Sequence, residues 1–241
     1  MAFRDKVVVV TGGAQGIGKC CAECFEREGA HVHVIDIQPG PWFVGDLADK
    51  SVLERFAAGV IAKSGHVDVL LNNAMPLFKG IDECTYEEFA CAQAVGVIAP
   101  FYLAKLFKDH FAEGASIINI SSSRDRMSQP RSESCTAAKG GIAALTHALA
   151  ASLAGRVRVN SISPGWIDTS FNLFGAGRHA AFRRPFSASV EQLVAVQRHH
   201  AEITNAVCKQ LVIEVKAVRM QRLGNPCSEM AKDPRVFFQI P

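Results

Sequence analysis

Tyrosine is almost missing from this chain: among 241 residues only Tyr86 and Tyr102 carry a phenol. Chemistry that needs a phenolic acid, with a pKa near ~10, must use one of those two or do without. An excess of one charge is missing as well. The 26 Lys and Arg stand against 23 Asp and Glu, a net charge of +3. The basic residues gather into no stripe that would track a phosphate backbone, so no nucleic-acid partner is expected. No uncharged apolar run approaches the ~20 residues that cross a bilayer, and no membrane contact is expected. The first apolar segment begins almost at once, which leaves no signal or transit peptide and makes a cytoplasmic protein the expectation. Metal-ligand spacing is lacking too. Of the eight cysteines (20, 21, 24, 84, 91, 135, 208 and 227), Cys21 and Cys24 form a C-x-x-C pair with no second Cys or His pair at zinc distance. Buried thiols of a reducing compartment are the simpler reading, and no metal is expected. His199-His200 reads in the same way as a solvated helix face.

What the chain does have begins at Lys6. Val7, Val8, Val9, Val10 and Thr11 are all β-branched, a run suited to a strand buried on both faces. Gly12-Gly13-Ala14-Gln15-Gly16-Ile17-Gly18 follows directly, and a helix is expected over 19–28. Strand, glycine turn and helix form the context in which a dinucleotide pyrophosphate is held. Glycines permit positive φ and close backbone approach, and the new helix offers unpaired N–H groups at the positive end of its dipole. A second strand, His31 to Ile35, closes on Asp36. That carboxylate lies ~20 residues beyond the turn, where it can accept hydrogen bonds from an adenosine ribose. It would repel a 2′-phosphate, and neither Gln15 nor Ile37 supplies a compensating cation. NAD is therefore expected over NADP.

The segment Ile37-Gln38-Pro39-Gly40-Pro41 is too short and too rich in breakers for a crossover helix. Trp42-Phe43-Val44 is expected as a parallel third strand reached by an extended loop, with a thin outer layer on that edge. Helices are expected over 50–63, 86–111 and 136–153, with Pro100 marking a kink or boundary in the second. Strands are expected over 67–71, 116–120 and 157–162. Such alternation predicts an α/β fold, a doubly wound parallel sheet, with ligands bound at the carboxyl ends of its strands.

Several short motifs sit at those ends: Thr11-Gly12…Gly16…Gly18, Asp46-Leu47, Asn72-Asn73-Ala74, Ile118-Asn119-Ile120-Ser121-Ser122, Lys139-Gly140-Gly141 and Ser163-Pro164-Gly165. Together, over residues 3–169, they resemble the classical short-chain dehydrogenase/reductase family. The resemblance implies a single Rossmann-type domain over 1–241 that binds NAD(P). It also implies hydride transfer to or from the carbonyl or hydroxyl carbon of a small alcohol or ketone. Cofactor contacts would fall on Gly12, Gln15, Gly16, Ile17, Gly18 and Asp36. Asp46 and Leu47 would border the adenine, and Asn73 and Ala74 the adenosine ribose. Pro164, Gly165, Ile167 and Thr169 would pack around the nicotinamide, and Lys139 would hold its ribose. Relatives form homodimers or homotetramers through the helices near 96–111 and 136–153.

Catalysis in the family uses Ser, Tyr and Lys. Ser122 matches the serine and Lys139 the lysine, but the tyrosine position is Cys135. The asparagine that steadies a water relay maps to Gly96. A thiol's ordinary pKa of ~8.5 does not exclude it as an acid, but its sulfur falls well short of where a phenol oxygen would sit. Impaired activity is expected. The alternative is a catalytically inactive dinucleotide-binding sensor or partner subunit. The C-terminal third departs from the family. A substrate loop is expected over 170–181. A helical lid follows over 190–220, where Ile203, Val207, Leu211, Val215 and Val218 follow near-helical spacing. The closing strand is expected to be incomplete, with 236–240 as a short substitute.

Overall fold

In the computed structural model the placement of residues 2–165 is described. The expected substrate loop, the lid and the closing strand lie outside those residues, as do Ile167 and Thr169. Six parallel strands form one sheet in the order β3-β2-β1-β4-β5-β6. They are β1 (Val7–Thr11), β2 (His31–Asp36), β3 (Phe43–Val44), β4 (Val67–Asn72), β5 (Phe111–Ile120) and β6 (Val157–Ile162). The strand order reverses between β1 and β4, and the crevice at such a reversal is where open α/β sheets bind ligands.

Both faces of the central strands are buried, so their sequences read as continuous apolar runs rather than alternating ones. Val7 and Val9 point to one face with Ile35, Leu70 and Ile117. Val8 and Val10 point to the other with Val69, Leu71 and Ile118. The first face is covered by α2 (Lys50–Ser64) through Val52, Leu53, Phe56 and Val60, and by Leu103 and Phe107 from the next helical layer. The second is covered by α1 (Gly16–Arg27) through Cys21, Ala22 and Phe25. Caps set the ends of α2. Asp49 accepts from Ser51 N–H at 2.8 Å, and Gly65 takes the left-handed conformation (φ 74°) at the exit.

The expected thin edge is present. No helix joins β2 to β3, and two residues pair in parallel, Ile35 with Phe43 and Asp36 with Val44. The expected helix over 86–111 is three pieces ending earlier, at Leu106. A Thr85–Glu88 capping box starts α3 (Tyr86–Gln93), a π-helical turn runs through Ala94–Ile98, and α4 (Ala99–Leu106) follows with Pro100 in its first turn. Pro100 thus stands inside one continuous helical stretch, and the irregularity it imposes is taken up by the π turn before it. By length and composition this stretch, Tyr86–Leu106, is apolar enough to cross a membrane. Here Ala92, Gly96, Ala99, Pro100, Leu103 and Ala104 are buried along one side of it. The last helix, α5 (Glu133–Ser152), begins a turn before the expected start at 136. β5 also begins early, because its register shifts between the Val67–Phe111 and Val69–Ser116 pairs.

Candidate active site

The glycine turn leaves β1 with Gly12 at φ 68° and Gly16 at φ 57°. Its three outer glycines have different reasons to be there. A Cβ on Gly12 would meet the Ala74 backbone at 2.7 Å, and one on Gly18 would meet the Gly12 carbonyl oxygen at 2.1 Å. The turn is therefore pressed against both the end of β4 and the start of α1. Gln15 occupies the N-cap in an extended conformation without a side-chain cap bond, and no acid stands in the first helical turn. The opening N–H groups of α1 are thus left to something else.

Asp36 is buried rather than solvated. Its Oδ2 accepts from Ala14 N–H and its Oδ1 from Gln38 N–H, each at 2.9 Å. Each carboxylate oxygen retains acceptor capacity beyond that bond. The Asn72-Asn73-Ala74 motif braces the turn from the other side. Asn73 and Ala74 N–H both donate to Thr11 Oγ1, and Asn73 Nδ2 donates to the carbonyls of Thr11 and Gly12. Asp46 is exposed, where its Oδ1 accepts from Ala48 N–H. Leu47 is a core residue beside Val52 and Phe56.

Ser122, Cys135 and Lys139 come from two elements that dock on each other. Lys139 Nζ donates to the Ile120 carbonyl at 2.5 Å, and Ser121 Oγ donates to the Lys139 carbonyl at 3.0 Å. This clasp brings the end of β5 against the face of α5 that carries Cys135 one turn before Lys139. Cys135 is 2% exposed and Lys139 7%. Burial holds the Lys139 ammonium below the usual lysine range, and the Cys135 side chain pulls the other way. Ser122 Oγ accepts from Arg124 N–H at 3.3 Å, which leaves its own proton to give. Pro164 accepts at its carbonyl from Ser123 N–H, and the exposed Gly165 follows it.

Gly96 lies in the π turn, and a Cβ there would meet the Ala138 Cβ at 2.7 Å. A Cβ added to Gly141 would meet the Val97 side chain at 2.8 Å. The small residues of α5 thus serve contact within the chain, between α5 and the π turn. Three supports have no role assigned by the sequence alone. Ser134, fully buried, takes an N–H bond from Lys79 and lies within 2.8–2.9 Å of the Leu77 and Lys79 carbonyls, strapping the loop after β4 to the start of α5. Asn119 Oδ1 accepts from Asn72, and its Nδ2 donates to Thr146. Arg124 stacks on Phe78, 4.6 Å from the ring centroid. Asn119 was detectable, since an amide inside an apolar strand needs buried partners. Arg124 and Phe78 are 46 positions apart by number and share no local pattern.

A parallel sheet in this order, with a glycine turn at its reversal and a Ser–Lys clasp beside it, defines a Rossmann-type oxidoreductase scaffold. A family model described as enoyl-(acyl carrier protein) reductase matches residues 12–209. An uncharacterized oxidoreductase of Thermotoga maritima is 37% identical over 188 residues, covering 70% of this chain and 73% of that one. A probable galactose dehydrogenase of Rhizobium meliloti is 34% identical, covering 69% and 73%. The solved apo SCOR enzyme of Clostridium thermocellum superposes with a TM-score of 0.64 at 40% identity, over 70% of this chain and 75% of that one. The chain belongs to the short-chain dehydrogenase/reductase family, and it is an oxidoreductase of that type.

Proposed function

We propose that this chain moves hydride between a nicotinamide dinucleotide, NAD in preference to NADP, and the carbonyl or hydroxyl carbon of a small alcohol or ketone. Its turnover is held down by Cys135. The observation that carries the reading is the uncapped start of α1 beside two positive-φ glycines, with room there for backbone and not for side chains. The residues present fit a dinucleotide. Amides of Gly16, Ile17 and Gly18 would hold the pyrophosphate with Gln15 at the cap, and Asp36 would hold the adenosine ribose. Asp46, Leu47, Asn73 and Ala74 would flank the adenosine. Pro164 and Gly165 would flank the nicotinamide, as Ile167 and Thr169 would by resemblance.

The bound dinucleotide would supply or accept the hydride. Ser122 would donate its hydroxyl proton to the substrate oxygen and fix its position. Lys139 would hold the nicotinamide ribose and lend positive field to Cys135. The Cys135 thiol would exchange the substrate proton through a bridging water, because a sulfur on this helix lies short of the ~3 Å a direct transfer needs. A second reading, a dinucleotide-binding sensor without turnover, is favoured by the burial of Cys135 and by the Lys139 bond to the Ile120 carbonyl. A soluble cytoplasmic homo-oligomer is the setting either reading implies.

Calorimetric titration with NADH and NADPH, followed by turnover on alcohols, ketones and sugars, separates the cases. Sugars belong in that panel because relatives are named as galactose and L-fucose dehydrogenases. The enzyme reading expects tighter NADH binding and slow turnover. Binding with no turnover supports the sensor. A folded protein that binds neither dinucleotide overturns both.

A further inference from the structure

Directly after β5 the chain forms a short 3-10 turn, Ser123–Asp125, capped by Ser122. Arg124 stands in that turn. Its backbone N–H donates to Ser122 Oγ, while its guanidinium lies over the Phe78 ring. Phe78 belongs to the loop after β4, so the stack bridges the carboxyl ends of two neighbouring strands, beside the serine that would hold the substrate oxygen. Of the cations next to Arg124 and Phe78 in the chain, Arg126 pairs with Asp125 at 3.7 Å and Lys79 with Glu88. Asp125 turns elsewhere, with its Oδ2 accepting from Ser163 Oγ at 2.8 Å. Among the described residues no carboxylate pairs with Arg124.

A guanidinium stacked on a ring is held flat, with its edge N–H groups free for a planar oxyanion. Two such bonds in parallel form a bidentate clamp. The loop that carries Phe78, and the turn that carries Arg124, also bear apolar side chains that remain exposed: Met75 at 75%, Leu77 at 40%, Phe78 at 38% and Met127 at 67%. One fixed cation, a bare apolar shelf and a hydroxyl donor stand together. The geometry points to a substrate with an oxyanion at one end, specifically a carboxylate: a hydroxy acid or an oxo acid. Its carboxylate is clamped by Arg124, its carbon chain lies on the Met75, Leu77 and Phe78 shelf, and its reacting oxygen reaches Ser122. This rests on the dehydrogenase reading of Ser122 and supplies the substrate class.

The test loads the protein with NADH and titrates 4-oxopentanoate and 5-oxohexanoate against their methyl esters, which keep the carbon chain and ketone but lose the charge and add one methyl group. Dihydroxyacetone phosphate and D-galactose serve as further arms. The oxo acids are expected to bind at least about tenfold tighter than their esters, the scale of a charge-assisted bidentate pair, and the gap narrows as salt is raised. Arg124→Met closes the gap while NADH binding and cooperative melting persist; Arg124→Lys keeps part of it, and Phe78→Leu narrows it. Equal affinity for acid and ester, no oxo-acid binding, or tighter binding of the phosphate or of the neutral sugar would each overturn the carboxylate assignment. So would loss of NADH binding in Arg124→Met, which assigns the residue a structural role. Failure of the wild-type protein to bind NADH defeats the dinucleotide reading instead, and is seen before any acid is added.

Discussion

The carboxyl edge of the sheet carries two neighbourhoods that differ in what each has kept. Around β1 and β2 both geometry and chemistry are intact: positive-φ glycines, an uncapped helix start, and a carboxylate at the end of β2. Around β5 and α5 the scaffold is intact, with Lys139 clasped to Ile120 and Ser122 capping its turn. By the family resemblance, the positions that would move a proton there hold Cys135 and Gly96. The difference teaches that binding and turnover rest on separable parts. A backbone cradle depends on how closely peptide groups approach, whereas proton transfer depends on the reach of one side chain.

The largest effect should come from breaking the intact side. In Gly18→Ala the new Cβ would fall 2.1 Å from the Gly12 carbonyl, and backbone cannot yield as a flexible side chain does. Dinucleotide affinity is expected to drop ~100-fold, with about 3 kcal/mol of stability lost to overpacking. Calorimetry and a urea melt read the two separately. If the variant binds NADH like the parent, the pyrophosphate is not held at this turn.

Repairing the other side should give the next largest effect. Cys135→Tyr is expected to raise turnover about 100-fold, the lower end of what a positioned general acid contributes, with NADH affinity unchanged. The position is 2% exposed, so the ring should also cost about 1–3 kcal/mol in a melt. Adding Gly96→Asn should lower activity, because its Cβ would press on Ala138 at 2.7 Å and displace α5. A double variant faster than Cys135→Tyr would show that α5 accommodates a side chain there. A smaller effect belongs to coenzyme choice. Asp36→Asn removes the charge and keeps an acceptor oxygen for only one of the two N–H donors, Ala14 or Gln38, so a melt should show some stability lost as well. Preference for NADH over NADPH should narrow by roughly fivefold to tenfold, about what ~1 kcal/mol of charge repulsion in a water-like dielectric gives.

Much of this contrast was legible in the residues. The β-branched run, the glycine spacing and the acid at the end of β2 are local signals, each fixed by the conformation of a few consecutive residues. The substitutions at Cys135 and Gly96 were legible only against the family resemblance. Asp36 was expected as a ribose acceptor, but its second occupation, holding Ala14, depends on how the turn folds back over β2. What stayed hidden was tertiary in origin. The Arg124–Phe78 stack joins two loops through space, and Ser134 looks like any helix-start serine until the loop after β4 is laid across it. The early start of β5 was hidden for a similar reason, since its first residues pair with β4 across a register shift.

The smallest effect lets the binding side be loosened without touching its glycines. His33 lies on β2, the strand that ends in Asp36, and its ring is hydrogen-bonded to Ser64 Oγ at 2.8 Å. Burial, with Lys63 and His31 nearby, holds its pKa below the ordinary histidine value of ~6.5. The unfolded chain therefore binds a proton before the folded one does. His33 contributes nothing to the pH dependence well above that ordinary value. As pH falls through it toward the lower folded value, the folded state loses stability. Urea melts from pH 7.5 down to 5 should show this decline, and His33→Gln, which keeps a partner for Ser64, should flatten part of it. The residual slope then belongs to other groups. An unchanged slope in His33→Gln would mean that the ring is protonated as readily in the folded chain as in the unfolded one. Acid would then offer no route for weakening β2 while the β5–α5 clasp stays closed.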